Sequence, residues 1–259
     1  VPPPVGNWSA QDVIPEPDSR NIWTALEGQL SSENGKNNFT RDNVAAINSL
    51  FMKTGNVVSD YHRETATGGG GTLNMRCFGH ANLDVTIGDG ITDDQLGLID
   101  FIRGKDYFDY NGDCSLNETR SRTLGDIYNS EIVIVGPPLA ETAFVSLNQE
   151  SYWRSINGYD TWKNDSLREN RKKVVYAGGN DGMLHAFDDE TGEELWAFIP
   201  PFIASKLPTV MTPGLNLATG GASAAIFGVD GSITAHDMYF QELQDDGSGN
   251  MELASANWH

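Results

Sequence analysis

Apolar positions recur along this chain with two different periods, and the change between them divides it. From Thr40 a helical spacing puts Val44, Ile47 and Phe51 on one face, with Gly55 placed to end it, which predicts a helix over residues 41–53. A second helix is marked by Thr92 with Gln95 as a capping box, by Leu96, Ile99 and Phe101 or Ile102 as its apolar face, and by Gly104 as its stop. That face packs most simply on the first helix. Ile22 to Leu26 alternates as a short strand, SSENGKNN after it reads as a turn, and the stretch around Gly68 to Gly71 has too few periodic apolar positions for anything regular.

From about Leu124 the period shortens toward that of strands. EIVIVG, residues 131–136, stops at Pro137 and Pro138, and the polar, aromatic-bearing run Tyr152 to Arg171 predicts a helix near Trp162 to Arg168. KVVYAGG, residues 173–179, then reads as a strand, Asn180-Asp181-Gly182 as a hairpin turn, MLHAFD as the returning strand, DETG as a second turn and EELWAF as a third strand. Three strands joined by two tight turns make a meander. Five prolines among the first seventeen residues make the opening stretch an extended lead-in.

Within the meander Ala186, Asp188, Thr191, Gly192 and Trp196 follow the spacing AxDxxTGxxxW. Asp188 and Thr191 can hydrogen-bond across a tight turn, Gly192 permits positive φ, and Trp196 then lands on an outer strand with its indole free to dock on a neighbouring sheet. This string is similar to the tryptophan-docking blade motif of quinoprotein-type β-propellers. Taken with LIDFIRG (98–104), LGDI (124–127), the run VVYAGGNDGMLHAFDDETGEELWAFIP and FGVDGSITAHDMYF (227–240), it resembles the C-terminal region of the PilY family of type IV pilus tip-associated adhesion and biogenesis proteins over about residues 90–259.

The resemblance implies a mainly β fold: a partial quinoprotein-like β-propeller over 124–259, preceded by a mixed α/loop segment over 1–123 that contains two helices. It further implies display at the cell surface, at a pilus tip or the outer membrane, with pilins or minor pilins and a host or abiotic surface as partners. The expected role is non-enzymatic, in pilus biogenesis and adhesion. Blades run to about 40–45 residues, so residues 131–259 hold about three, and another chain or further sequence is expected to close the ring. The family's calcium loop in the later propeller has no counterpart here.

Composition narrows this picture. A net charge of −19 over 259 residues excludes nucleic acid and bare anionic lipid as unaided partners and makes divalent cations the natural counter-charge. No apolar run is long enough to span a bilayer. Asp109, Asn111 and Asp113 alternate as D-x-N-x-D with Glu118 downstream, an arrangement able to offer several oxygen ligands to Ca2+. Against an EF-hand, its sixth position is Cys114 where glycine is needed and its twelfth is Arg120 where glutamate is needed, so a solvated acidic loop is the competing reading. The acidic turn from Asp245 to Glu252 is a weaker site of the same kind. Cys77 and Cys114 can pair in an oxidising compartment or remain two buried thiols in a reducing one.

Enzyme readings are thinner. A fragment of a quinone-dependent dehydrogenase, or a propeller scaffold of the outer-membrane assembly kind, shares the blade motif, but only one such motif occurs and there is no adjacent cysteine pair. Gly221 to Ala225 is a nucleophile-elbow pattern without its second glycine. His185 and His236 are expected to be structural, satisfied by strand or turn neighbours.

Overall fold

The computed structural model describes residues 8–26, 37–51, 92–106, 118–143, 149–208, 228–245 and 251–259. In chain order these hold α1 (Ala10–Val13), β1 (Ile22–Thr24), α2 (Val44–Phe51), α3 (Thr92–Arg103), β2 (Val133–Val135), α4 (Gln149–Ile156), α5 (Tyr159–Lys163) and α6 (Ser166–Glu169). There follow β3 (Val174–Gly178), β4 (Leu184–Asp188), β5 (Glu194–Ile199), α7 (Pro201–Ala204), β6 (Tyr239–Phe240), β7 (Leu243–Asp245), β8 (Met251–Leu253) and β9 (Asn257–Trp258). The chain divides into two compact units, Val1–Ile132 with Val175–Ile233, and Val133–Val174 with Thr234–His259.

In the first unit β3, β4 and β5 are neighbours in that order, the expected meander, with β4 and β5 antiparallel. The short strand expected at Ile22 is β1. It lies along the far edge of β5 and runs parallel to it, with Ile22, Trp23 and Thr24 opposite Ala197, Phe198 and Ile199. The sheet is therefore mixed. Helix α2 follows a 3-10 turn at Arg41–Asn43 and packs on α3, as the two apolar faces require. Ile47, Leu50 and Phe51 meet Leu98, Ile99 and Ile102 in one buried cluster that also takes in Ile22, Ala197 and Ile199 from the sheet. Gly104, at φ +115°, ends α3 as expected, and a methyl group there would meet the Thr123 side chain at 2.5 Å.

The second unit is smaller. The helix expected near Trp162 to Arg168 is divided into α5 and α6 because the Asp165 side chain caps a new turn by accepting from the Leu167 amide, and α4, not expected, precedes them across Gly158 at φ 72°. Its core is Tyr159, Trp162 and Trp258, with Ala140 and Tyr239 against it. Two ribbons complete the unit, β6 with β9 and β7 with β8, all antiparallel. Among the described residues about 20% are strand and 32% helix, so strand does not dominate as the mainly β expectation has it. Much of the stretch expected to form blades is spent on helices α4 to α6 and on strands of two or three residues.

Candidate functional site

The densest chemistry in the first unit is a row of buried charges that starts at an irregularity in a strand. Ala186 faces Trp196 and His185 faces Ala197, but Phe187 faces Glu194, so the register shifts and Leu195 is the extra residue of a β-bulge. In an unbroken strand Glu194 and Ala197, three apart, would point to opposite faces. The bulge cancels that alternation and turns the Glu194 carboxylate onto the buried face beside His185.

The row runs as follows. Asp181, in the turn before β4, lies 3.1 Å from His185 Nε2 through Oδ2, which also accepts the Gly125 amide at 2.9 Å. His185 Nδ1 is 2.7 Å from Glu194 Oε1. Glu194 takes a two-pronged pair of hydrogen bonds from Arg20, each 2.7 Å long, and both side chains are fully buried. The remaining Arg20 nitrogen donates to the Arg103 carbonyl at 2.9 Å, and Arg103 donates back to the Arg20 carbonyl at 2.8 Å and to those of Pro17 and Phe39. Five segments, around Arg20, Phe39, Arg103, Gly125 and Glu194, are thereby pinned together.

Burial by itself would neutralise these groups. For His185 it acts downward, yet the charge and hydrogen bond of Asp181, and then those of Glu194, outweigh it and raise the imidazole to about 9. Burial acts upward on both carboxylates, but His185 and the Gly125 amide hold Asp181 at about 2, and Arg20 followed by His185 holds Glu194 at about 2. At neutral pH the ring is an imidazolium donating from both nitrogens into carboxylates. In that state it has no lone pair left for proton abstraction, and it acts as an ionic lock between the two carboxylates.

The blade-type motif adjoins this row. Asp188 Oδ1 accepts the amides of Glu190 and Thr191 at 2.9 and 3.1 Å, and Gly192 turns the chain at φ +75°. These are the expected turn bonds. Sequence reasoning missed the cap on that turn: Trp8 donates through its indole nitrogen to the Asp189 carbonyl at 2.8 Å, and a Cβ at position 192 would strike its ring at 2.4 Å. Trp196 is half-buried on the opposite face of the sheet. It is paired with small Ala186, and the rings form a line of Tyr176, Trp196, Trp23 and Phe198 with neighbouring centroids 4.3–6.3 Å apart.

Of the candidate metal ligands, Asp109, Asn111 and Asp113 lie outside the described residues, as do Cys77, Cys114, Gly68 to Gly71 and Gly221 to Ala225. Glu118 is described: its carbonyl accepts the Asp106 amide at 2.9 Å beside a β-bridge between Lys105 and Thr119. Among the described residues no group of three or more His, Cys, Asp or Glu could hold a metal ion, and no helix is long and apolar enough to cross a membrane. His236 is exposed, and its neighbour Asp237 accepts the Tyr159 hydroxyl at 2.5 Å. Burial and then that carboxylate push the Tyr159 phenol up to about 12.

The row has a faint sequence signal. Asp181 serves as the turn residue of Asn-Asp-Gly and His185 sits at an inward strand position, but Arg20 lies 174 residues from Glu194 and nothing local couples them.

Comparison with known proteins bears directly on the family resemblance. A stretch of 124 residues, 48% of the chain, is 36% identical to the type IV pilus biogenesis factor PilY1 homolog of Xylella fastidiosa. Over 142 residues, 55% of the chain, it is 34% identical to the type IV pilus biogenesis factor PilY1 of one strain of Pseudomonas aeruginosa, and over 122 residues it is 37% identical to that of another. The matched stretch spans 9–11% of the length of these relatives. No family model and no solved structure matches the chain.

Proposed function

We propose that this chain is a non-enzymatic module of a type IV pilus biogenesis factor, acting in pilus assembly and surface attachment. The observation that carries the reading is the likeness, at 34–37% identity over about half the chain, to proteins named for that role. The site supports it. A histidine engaged at both nitrogens and buried with its partners suits a scaffold, and the Asp188 to Gly192 turn with Trp196 on the sheet face suits a propeller-type blade.

On this reading β3 to β5 are the core of one blade within residues 124–259, and residues 1–123 lead into it. The module stands outside the cell, at the pilus tip or the outer membrane, where pilins or minor pilins and a host or abiotic surface are its partners. Asp109, Asn111, Asp113 and Glu118 are the proposed Ca2+ ligands. Calorimetry with Ca2+ on the wild type, on Asp109→Ala and on Asp113→Ala tests that site, and isotherms identical in all three remove it. For the function itself, an in-frame deletion of these residues in the producing bacterium should reduce surface pili and attachment. Unchanged piliation and attachment would refute the role.

A further inference from the structure

Residues 8–24 are organised by other parts of the chain: Asn37, Asn38 and Phe39 bond Ile22 and Thr24, and the remaining anchors lie far away in sequence. Trp8 hydrogen-bonds 181 residues away, Gln11 accepts the Thr123 and Leu124 amides at 3.1 and 3.0 Å, and Arg20 is held 174 residues away. Their own regular structure is one helical turn, a 3-10 turn and a three-residue strand. Such a segment has too few internal contacts to be ordered by itself. It behaves as a ligand that happens to be tethered.

What receives it is a built socket with three recognition points. The Asp188 to Gly192 turn takes the Trp8 indole. The buried Glu194 carboxylate, backed by His185, takes the Arg20 guanidinium. The outer edge of β5 takes a parallel strand, with the Ala197 amide donating to the Asn21 carbonyl at 2.9 Å and the Thr24 hydroxyl donating to the Ile199 carbonyl at 2.7 Å. Without this segment the β5 edge and a buried carboxylate would both stand open, the condition in which a strand edge recruits a strand from another chain.

We propose that the β5 edge with its Glu194 pocket is a strand-receiving site, filled here by the chain's own residues 8–24, and that the same segment of a second copy fills it in trans, so that two chains join by reciprocal strand exchange. The occupant is a second copy because the socket demands an indole, a guanidinium twelve residues later and a strand directly after it, a combination this chain supplies. Exchange recreates every contact already present, so the dimer needs no new interface. Two chains of charge −19 repel, and the dimer therefore gains with ionic strength.

Native mass spectrometry of full chains, one isotopically heavy and one light, reads this directly. Arg20→Gln and Glu194→Gln chains each lose the pair at every site when alone, whereas a heterodimer of the two rebuilds it at one site. The mixture should favour heterodimer over either homodimer by at least about thirtyfold, the scale of losing one partner from a buried charge pair. Folded variants, judged by circular dichroism, that give no heterodimer would overturn the proposal. So would equal dimerisation of each variant alone, which would place association elsewhere. Should either variant fail to fold, heavy and light wild-type chains serve: exchange into mixed dimers that increases with concentration and salt supports the proposal, and a chain monomeric under all those conditions overturns it.

Discussion

The two units solve the problem of a stable interior in opposite ways. The first buries a broad aliphatic and aromatic cluster and, beside it, a row of full charges from Asp181 to Arg20. Among the described residues the second buries three large rings, Tyr159, Trp162 and Trp258, joined edge to face and tilted at 4.8–6.4 Å, anchored by the Tyr159 hydroxyl on Asp237 and the Trp258 indole on the Asn157 carbonyl. Of the fifteen exposed large hydrophobic side chains among the described residues, ten belong to this smaller unit. A small unit has too little interior to cover its apolar side chains and leans on a few big rings, while a larger one can also carry ionic groups, provided each is fully paired.

The largest expected effect comes from unpairing the charged row. Arg20→Ala strands a buried carboxylate and should destabilise the first unit by about 3–5 kcal/mol, measured by urea unfolding, whereas replacing Arg20 and Glu194 together by methionines should recover most of that loss. Recovery that fails would mean the charges contribute more than their pairing. In the second unit Trp258→Ala removes the ring that touches both Tyr159 and Trp162 and should cost about 3 kcal/mol. Hydrogen exchange should show that loss in residues 149–169 and leave β4 protected; equal loss in both would erase the distinction between the units.

The pH response should separate them again. His185 is raised above its ordinary value, so its contribution is complete below about 6.5 and disappears as pH climbs through about 9, a loss of about 3 kcal/mol. Asp181 and Glu194 are lowered, so theirs is complete above the ordinary carboxylate range and disappears as pH falls toward about 2. Denaturation midpoints of the first unit followed from pH 6 to 10 should therefore decline, and His185→Gln should flatten that decline. A smaller effect, about 1–2 kcal/mol, is expected for Tyr159→Phe, which removes one bond to a charged acceptor. Its far-ultraviolet melting curve would contradict this by not moving at all.

Much of this was legible in the residues because it depends on local spacing. The faces of α2 and α3, the two turns of the meander and the hydrogen bonds of Asp188 follow from periods of three, four and two and from short-range turn chemistry. What escaped depends on partners distant in sequence or on a broken period. The β5 bulge is invisible in EELWAF because Glu194 reads there as an outward polar residue, and only its pairing with Phe187 turns it inward. Parallel β1 could be expected as a strand but not assigned a neighbour 175 residues on. The Asp165 cap, which divides the helix expected near Trp162 to Arg168 into α5 and α6, and Gly158, which separates the unexpected α4 from α5, carry signals weaker than the aromatic run around them.

The protonation of His185 tests the ionic-lock account most directly, through the imidazole nitrogen shifts followed by nuclear magnetic resonance from pH 5 to 10. The ring should be doubly protonated through neutrality and release its proton at about 9, together with the loss of first-unit stability. A ring that titrates at or below its ordinary value near 6.5, or that is neutral at pH 7 with one nitrogen free, would contradict it.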